Sequence, residues 1–138
     1  MIPPNDNQPA AAPTPADWML VVDDDEQVRD MIGNMLADAG VEVVTVPGGT
    51  AALKVLDARP IEPVLILTDV MMPGMDGLTF AKKLVALRGR SKIAIMSGHF
   101  GNEAYWPVEL RNVPFLPKPC RMAELKELVD SARLEFRR

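Results

Sequence analysis

The stretch Met19-Leu20-Val21-Val22-Asp23-Asp24-Asp25 decides how this chain folds. An apolar run with no polar interruption suits a strand buried on both faces, and here it ends abruptly in carboxylates. The pattern returns in Val64-Leu65-Ile66-Leu67-Thr68-Asp69, where a second apolar run again ends in an acid. Open α/β sheets bind their ligands outside the carboxyl ends of the strands. Two carboxylates ~4 Å apart repel by roughly 4 kcal/mol at an effective dielectric of ~20. Gathering Asp23, Asp24 and Asp69 in one crevice therefore calls for a hard cation with oxygen ligands, most simply Mg2+, with Mn2+ as a substitute.

Outward from these two runs, short apolar segments alternate with amphipathic ones. Val28, Met31, Ile32, Met35 and Leu36 recur at helical spacing, and Gly40 is expected to stop that helix. Residues 41–46 read as a second strand, and a helix carrying Ala52, Val55 and Leu56 follows Pro47-Gly48-Gly49. Residues 64–68 are the third strand. The turn Met72-Pro73-Gly74-Met75-Asp76-Gly77 leads into a helix with Phe80, Ala81, Leu84 and Val85 inward. Residues 92–96 and 113–116 read as the fourth and fifth strands, and Met122, Leu125, Leu128, Val129 and Ala132 make the stripe of a closing helix. Near-continuous apolar strands separated by helices mean a parallel sheet covered on both faces, with right-handed crossovers. Residues 98–112 depart from the pattern. Gly98, Gly101 and Pro107 leave room for only a shortened or irregular fourth crossover helix, with Pro107 opening one or two turns.

Composition narrows the function. A chain of 138 residues with 48% hydrophobic content supplies one domain and a proper core. A net charge of −4 and 5% aromatic residues argue against a nucleic-acid surface, which needs basic patches or stacking rings. Cys120, the single cysteine, cannot form an internal disulfide and fits a reducing compartment. No apolar stretch approaches the ~20 residues of a membrane span, and no leader pattern opens the chain, so a cytoplasmic location is expected. Residues 1–17, with Pro3, Pro4, Pro9, Pro13 and Pro15, have too little to bury and read as a disordered tail or linker before a domain at 18–138.

Val21-Val22-Asp23-Asp24-Asp25, Thr68-Asp69 with its Met-Pro-Gly-Met-Asp-Gly turn, Met96-Ser97-Gly98 and Leu116-Pro117-Lys118-Pro119 occur in register. Together they resemble the receiver domain of two-component response regulators, from a stand-alone receiver or a hybrid histidine kinase. The resemblance covers residues 18 to the end. It implies a doubly wound five-stranded parallel sheet of order 2-1-3-4-5, which the chemotaxis receiver also exemplifies. It implies that Asp69 accepts a phosphoryl group from a histidine kinase or a histidine phosphotransfer protein. Asp24, Asp69 and the backbone oxygen of Met71 would bind the metal directly, and Asp23 would bind through water. Lys118 and Ser97 would contact the phosphoryl group, and Phe115 would hold the aromatic switch position. Met71 and His99 would tune how long the phosphoryl group lasts, and the Lys118–Pro119 bond would be cis. The resemblance also implies a downstream protein target, leaves room for a homodimer, and implies no direct nucleic-acid or membrane contact. The chemistry would be self-directed phosphotransfer and autodephosphorylation, not turnover of a separate substrate.

Other readings stand beside this one. Asp25 suits a helix cap, Asp76 a cap or loop brace, and Cys120 a small packing residue. Phe115 is as readily simple core as a moving switch. The fold could serve as a protein-contact module in which phosphorylation is marginal. An aspartyl-nucleophile phosphatase would want an acid two residues after Asp69, where Met71 stands. A flavodoxin-like flavin site would want a Ser/Thr/Gly phosphate cradle that the strand-end loops lack. Tyr105 and Trp106 are expected near the partner surface, since exposed aromatics anchor interfaces; changing both to alanine should weaken partner binding and spare phosphorylation.

Overall fold

The computed structural model describes residues 17–69, 77–87, 89–98, 110 and 112–137. The strands are β1 (Trp18–Val22), β2 (Glu42–Val46), β3 (Leu65–Asp69), β4 (Lys92–Ser97) and β5 (Phe115–Pro117). The helices are α1 (Glu26–Met35), α2 (Gly49–Ala58), α3 (Gly77–Leu87) and α4 (Met122–Phe136). All strand pairings are parallel, in the order β2-β1-β3-β4-β5. The order inferred from the resemblance is therefore the order observed.

The two-residue period of a strand sorts the core onto two faces. Met19 and Val21, with Leu65, Leu67, Ala94 and Met96, face α1 and α4, where they meet Ile32, Leu36, Leu125, Val129 and Ala132. Trp18, Leu20 and Val22, with Ile66 and Ile93, face α2 and α3 and meet Ala52, Phe80 and Leu84. This is why the β1 and β3 sequences are apolar without alternation. Each fully buried aliphatic side chain contributes on the order of 2 kcal/mol, so the packing of the helices on both faces of the sheet is the main source of stability.

Register builds the functional end. Val22 is level with Thr68, so the residues that follow them, Asp23 and Asp69, emerge side by side. Asp69 is level with Met96, and Ser97 with Pro117, which brings Ser97 and the start of the Lys118 loop to the same edge.

Strands β2, β3 and β4 differ from the sequence reading by one residue at one end or both, and larger departures have local causes. Helix α1 stops at Met35, before Gly40, because Ala37 N–H bonds back to Asn34 O (3.3 Å) and Ala39 N–H to Leu36 O (3.0 Å) in tight turns. Gly40 then supplies the left-handed residue, at φ 77°. Strand β5 begins at Phe115: Val113 N–H is taken by Leu110 O (3.2 Å), and Pro114 has no N–H to give a ladder. Met122 is 47% exposed, because it opens α4 one turn before Leu125 reaches the sheet. Of the irregular stretch at 98–112, residues 99–109 and 111 lie outside the described residues, as do residues 1–16 of the expected tail. Leu110 is fully buried against Ala81 and Ile95.

Residue 17 belongs to the packed structure. The Asp17 carbonyl accepts from Glu42 N–H (2.9 Å), and its carboxylate accepts from Arg133 and Arg137, each at 2.7 Å. Burial alone would raise the Asp17 carboxyl, but the hydrogen bonds from Arg137 and Arg133 outweigh it and hold the group below its ordinary value.

Candidate functional site

The carboxylates of Asp23, Asp24 and Asp69 each place an oxygen within 4.8 Å of the others at the carboxyl ends of β1 and β3. Asp23 and Asp69 are buried and Asp24 is exposed, so the cluster has a closed floor and an open mouth. Asp23 is held from several sides. Its N–H donates to Val46 O (3.1 Å), its Oδ1 accepts from Asp25 N–H (2.8 Å), and its carbonyl accepts from Arg29 Nη1 (2.7 Å). Asp25 does cap α1: its Oδ1 accepts from Gln27 N–H at 2.9 Å.

Lys118 arrives from the far side of the sheet, just after β5. Its Nζ lies 2.8 Å from Asp23 Oδ2 and 3.0 Å from Asp69 Oδ2, and its own N–H donates to Ser97 O at 3.0 Å. The contact with Asp69 has hydrogen-bond geometry. The contact with Asp23 is a close ion pair, and among the described residues no donor meets Asp23 Oδ2 in good hydrogen-bond geometry. Burial alone would lower the Lys118 ammonium, but the two carboxylates outweigh it and raise it above its ordinary value. The Asp23 carboxyl is raised: burial dominates, the nearby Asp69 charge adds to it, and Lys118 and the Asp25 N–H oppose it. Three carboxylates with oxygens within 4.8 Å of one another, balanced by a single ammonium, are suited to a hard divalent cation and to its water. The residues present fit Mg2+.

Among the other residues singled out in the sequence, Ser97 is buried at the end of β4 beside this cluster. Phe115 opens β5, half-buried, and packs on the Ala81, Ile95 and Leu110 cluster. The Lys118–Pro119 bond is cis. Cys120 is buried with its Sγ 3.3 Å from Met96 Sδ, and burial pushes its thiol above the ordinary value, which suits a packing role. Met71, Asp76, His99, Tyr105 and Trp106 lie outside the described residues. Sequence reading did not pick out Arg29. Its signal is faint, a lone cation six positions after Asp23 on the first turns of α1.

The response regulator receiver domain family matches residues 19–130. The chain belongs to this family. NtrC of Escherichia coli, a DNA-binding transcriptional regulator, is 33% identical over 113 residues, covering 81% of this chain. The chain spans about a quarter of the NtrC length, the matched share being 24%. An uncharacterised 14.6 kDa protein of Leptolyngbya boryana is 35% identical over 121 residues, which cover 86% of this chain and 91% of that protein. Among solved structures, the response regulator TrrA of Thermotoga maritima, in complex with Mg2+ and BeF, matches with a TM-score of 0.73 and 26% identity. That match covers 84% of this chain and 98% of TrrA. No helix among the described residues is long and apolar enough to cross a membrane.

Proposed function

We propose that this chain is a phosphoryl-accepting receiver in which Asp69 is the acceptor and the phosphorylated form switches the binding of a protein partner. The observation that carries the reading is the meeting of Asp69 with Asp23, Asp24 and Lys118 at one strand end, in a family whose members are response regulators. A carboxylate attacking a phosphoryl group brings two anions together, so positioning and charge neutralisation supply most of the catalysis. Asp69 Oδ attacks phosphorus, the phosphorus–nitrogen bond of a phosphohistidine donor breaks, and the electron pair leaves on the imidazole, which takes up a proton. Lys118 is already within 3.0 Å of Asp69 Oδ2 and is suited to follow the charge onto the phosphoryl oxygens. Ser97, buried on the neighbouring strand, is suited to donate its hydroxyl to one of those oxygens.

Asp24, Asp69 and the Met71 carbonyl would hold Mg2+, with Asp23 acting through water. When bound, the ion supplies electrostatic neutralisation of the transferring group. The Mg2+–BeF complex of TrrA supports this assignment. The donor is a histidine kinase or a histidine phosphotransfer protein, and the output is a protein contact. Phosphorylation adds about −1.5 to −2 charge, enough to bias a two-state loop through new hydrogen bonds. Met71 and His99 tune the lifetime, Phe115 is the switch aromatic, and Tyr105 with Trp106 contributes to the partner surface. The chemistry is self-directed.

The test is intact-mass spectrometry after incubation with acetyl phosphate and Mg2+, beside Asp69→Asn. A gain of ~80 Da, one phosphoryl group, in wild type alone is the expected result. If wild type gains no mass and also fails to bind beryllofluoride, the chain is a contact module instead.

A further inference from the structure

We propose that Arg29 is a positioning residue of the acidic site: its guanidinium fixes the Asp23–Asp24 peptide, and through it the direction of the Asp24 carboxylate. The inference rests on the functional reading above. Three of the four polar atoms of Asp23 are hydrogen-bonded, N–H to Val46 O, Oδ1 to Asp25 N–H and the carbonyl to Arg29 Nη1, while the fourth, Oδ2, faces the cluster and the Lys118 ammonium. Arg29 makes the last of those bonds, at 2.7 Å, from a half-buried position on α1. The Asp23 carbonyl belongs to the rigid plane that leads into Asp24, so holding that oxygen sets the course of the chain through the second acid.

Asp24 needs such help. Its carboxylate is exposed, and among the described residues no hydrogen bond fixes it. Its nearness to Asp23 and Asp69 is therefore a property of the backbone at its own position. Arg29 refers that backbone to α1, which is itself anchored by the Asp25 cap and the fully buried Ile32. The bond is charge-assisted, and the planar guanidinium gives it a direction that an ammonium would not. Among the described residues Arg29 makes no ion pair, so it adds positive charge beside three acids without occupying a carboxylate oxygen. Groups that orient metal-binding residues in this way carry much of a site's affinity.

The experiment measures Mg2+ affinity by amide chemical-shift titration on wild type, Arg29→Met and Arg29→Gln, with melting temperature and acetyl-phosphate labelling in parallel. Met keeps the apolar stem and loses the donor, and Gln is too short to reach the carbonyl. Both variants are expected to bind Mg2+ about tenfold more weakly. At saturating Mg2+ their labelling rates are expected to return to within about twofold of wild type, because only metal capture is impaired. Folded variants with wild-type Mg2+ affinity overturn the proposal, whatever their melting temperatures. Failure of both to fold makes Arg29 a structural residue and overturns it too. If wild type takes up neither Mg2+ nor a phosphoryl group, the functional reading falls and this one with it. If wild type does both and Arg29→Met matches it, only the Arg29 assignment falls.

Discussion

Gly40, at φ 77°, turns the chain between α1 and β2 in a conformation that side chains with a Cβ resist. A Cβ there would lie 3.6 Å from Arg133 Nη1, an ordinary contact, so the cost of Gly40→Ala is in the backbone. We expect a loss of about 1 kcal/mol in urea denaturation, the left-handed strain being partly offset by a less flexible unfolded chain. Gly40→Asn should lose less, since Asn tolerates this region; equal losses would locate the cost elsewhere. Residues of this kind are legible only in part. Asp23, Asp24 and Asp69 could be found because they stand where two apolar runs end, and period and position together pointed to them. Arg29 could not, since its partner is a backbone carbonyl and no pattern of residue types encodes that contact. The pairing of Lys118 with Asp69 came from family resemblance, because a lysine between two prolines says nothing by itself, and its second contact, with Asp23, came from the structure.

At the scale of elements, the ends of α4 and β1 are fastened together. Asp17 takes hydrogen bonds from Arg133 and Arg137, Arg133 Nη1 also donates to Ala39 O at 3.0 Å, and Lys92 pairs with Glu135 at 2.9 Å. Asp17→Asn is expected to lose on the order of 1 kcal/mol at neutral pH, a modest figure because Arg137 is largely exposed. The folded carboxyl lies below its unfolded value, so the aspartate's contribution is complete above the unfolded pKa and fades as pH falls through the folded one. Denaturation midpoints of wild type and Asp17→Asn should thus differ at pH 7, begin to approach one another only as pH falls below about 4, and meet once pH has passed below the folded value. A gap independent of pH would remove the ionic account. Element type followed from hydrophobic period in every described strand and helix. Element ends did not, because turn hydrogen bonds at Ala37 and Ala39, and the lack of an N–H at Pro114, decide them.

Across the whole molecule, the sheet divides two apolar layers that share it as a common wall. Ile32 lies in one layer and Ile66 in the other, both almost fully buried. Ile32→Val and Ile66→Val should each cost about 1 kcal/mol by the loss of one methylene. Their double variant should unfold in a single transition, with the two costs adding to within about 0.5 kcal/mol, since the sites share no partner. Two separate transitions would mean that the layers are independent units.

The bond between Lys118 and Asp69 spans 49 positions of sequence, and its consequence is one of timing. Synthesis runs from the amino end, so β1 and β3, with both buried acids, leave the ribosome well before the lysine that balances them. Until Lys118 is added, the carboxyl end of the nascent sheet's central strands carries uncompensated like charges, worth roughly 4 kcal/mol for a pair ~4 Å apart. Arrival of Lys118 relieves that repulsion, while the longer-range pairing of Asp17 with Arg133 and Arg137 still waits for α4, so a chain stalled before residue 118 has reason to stay open.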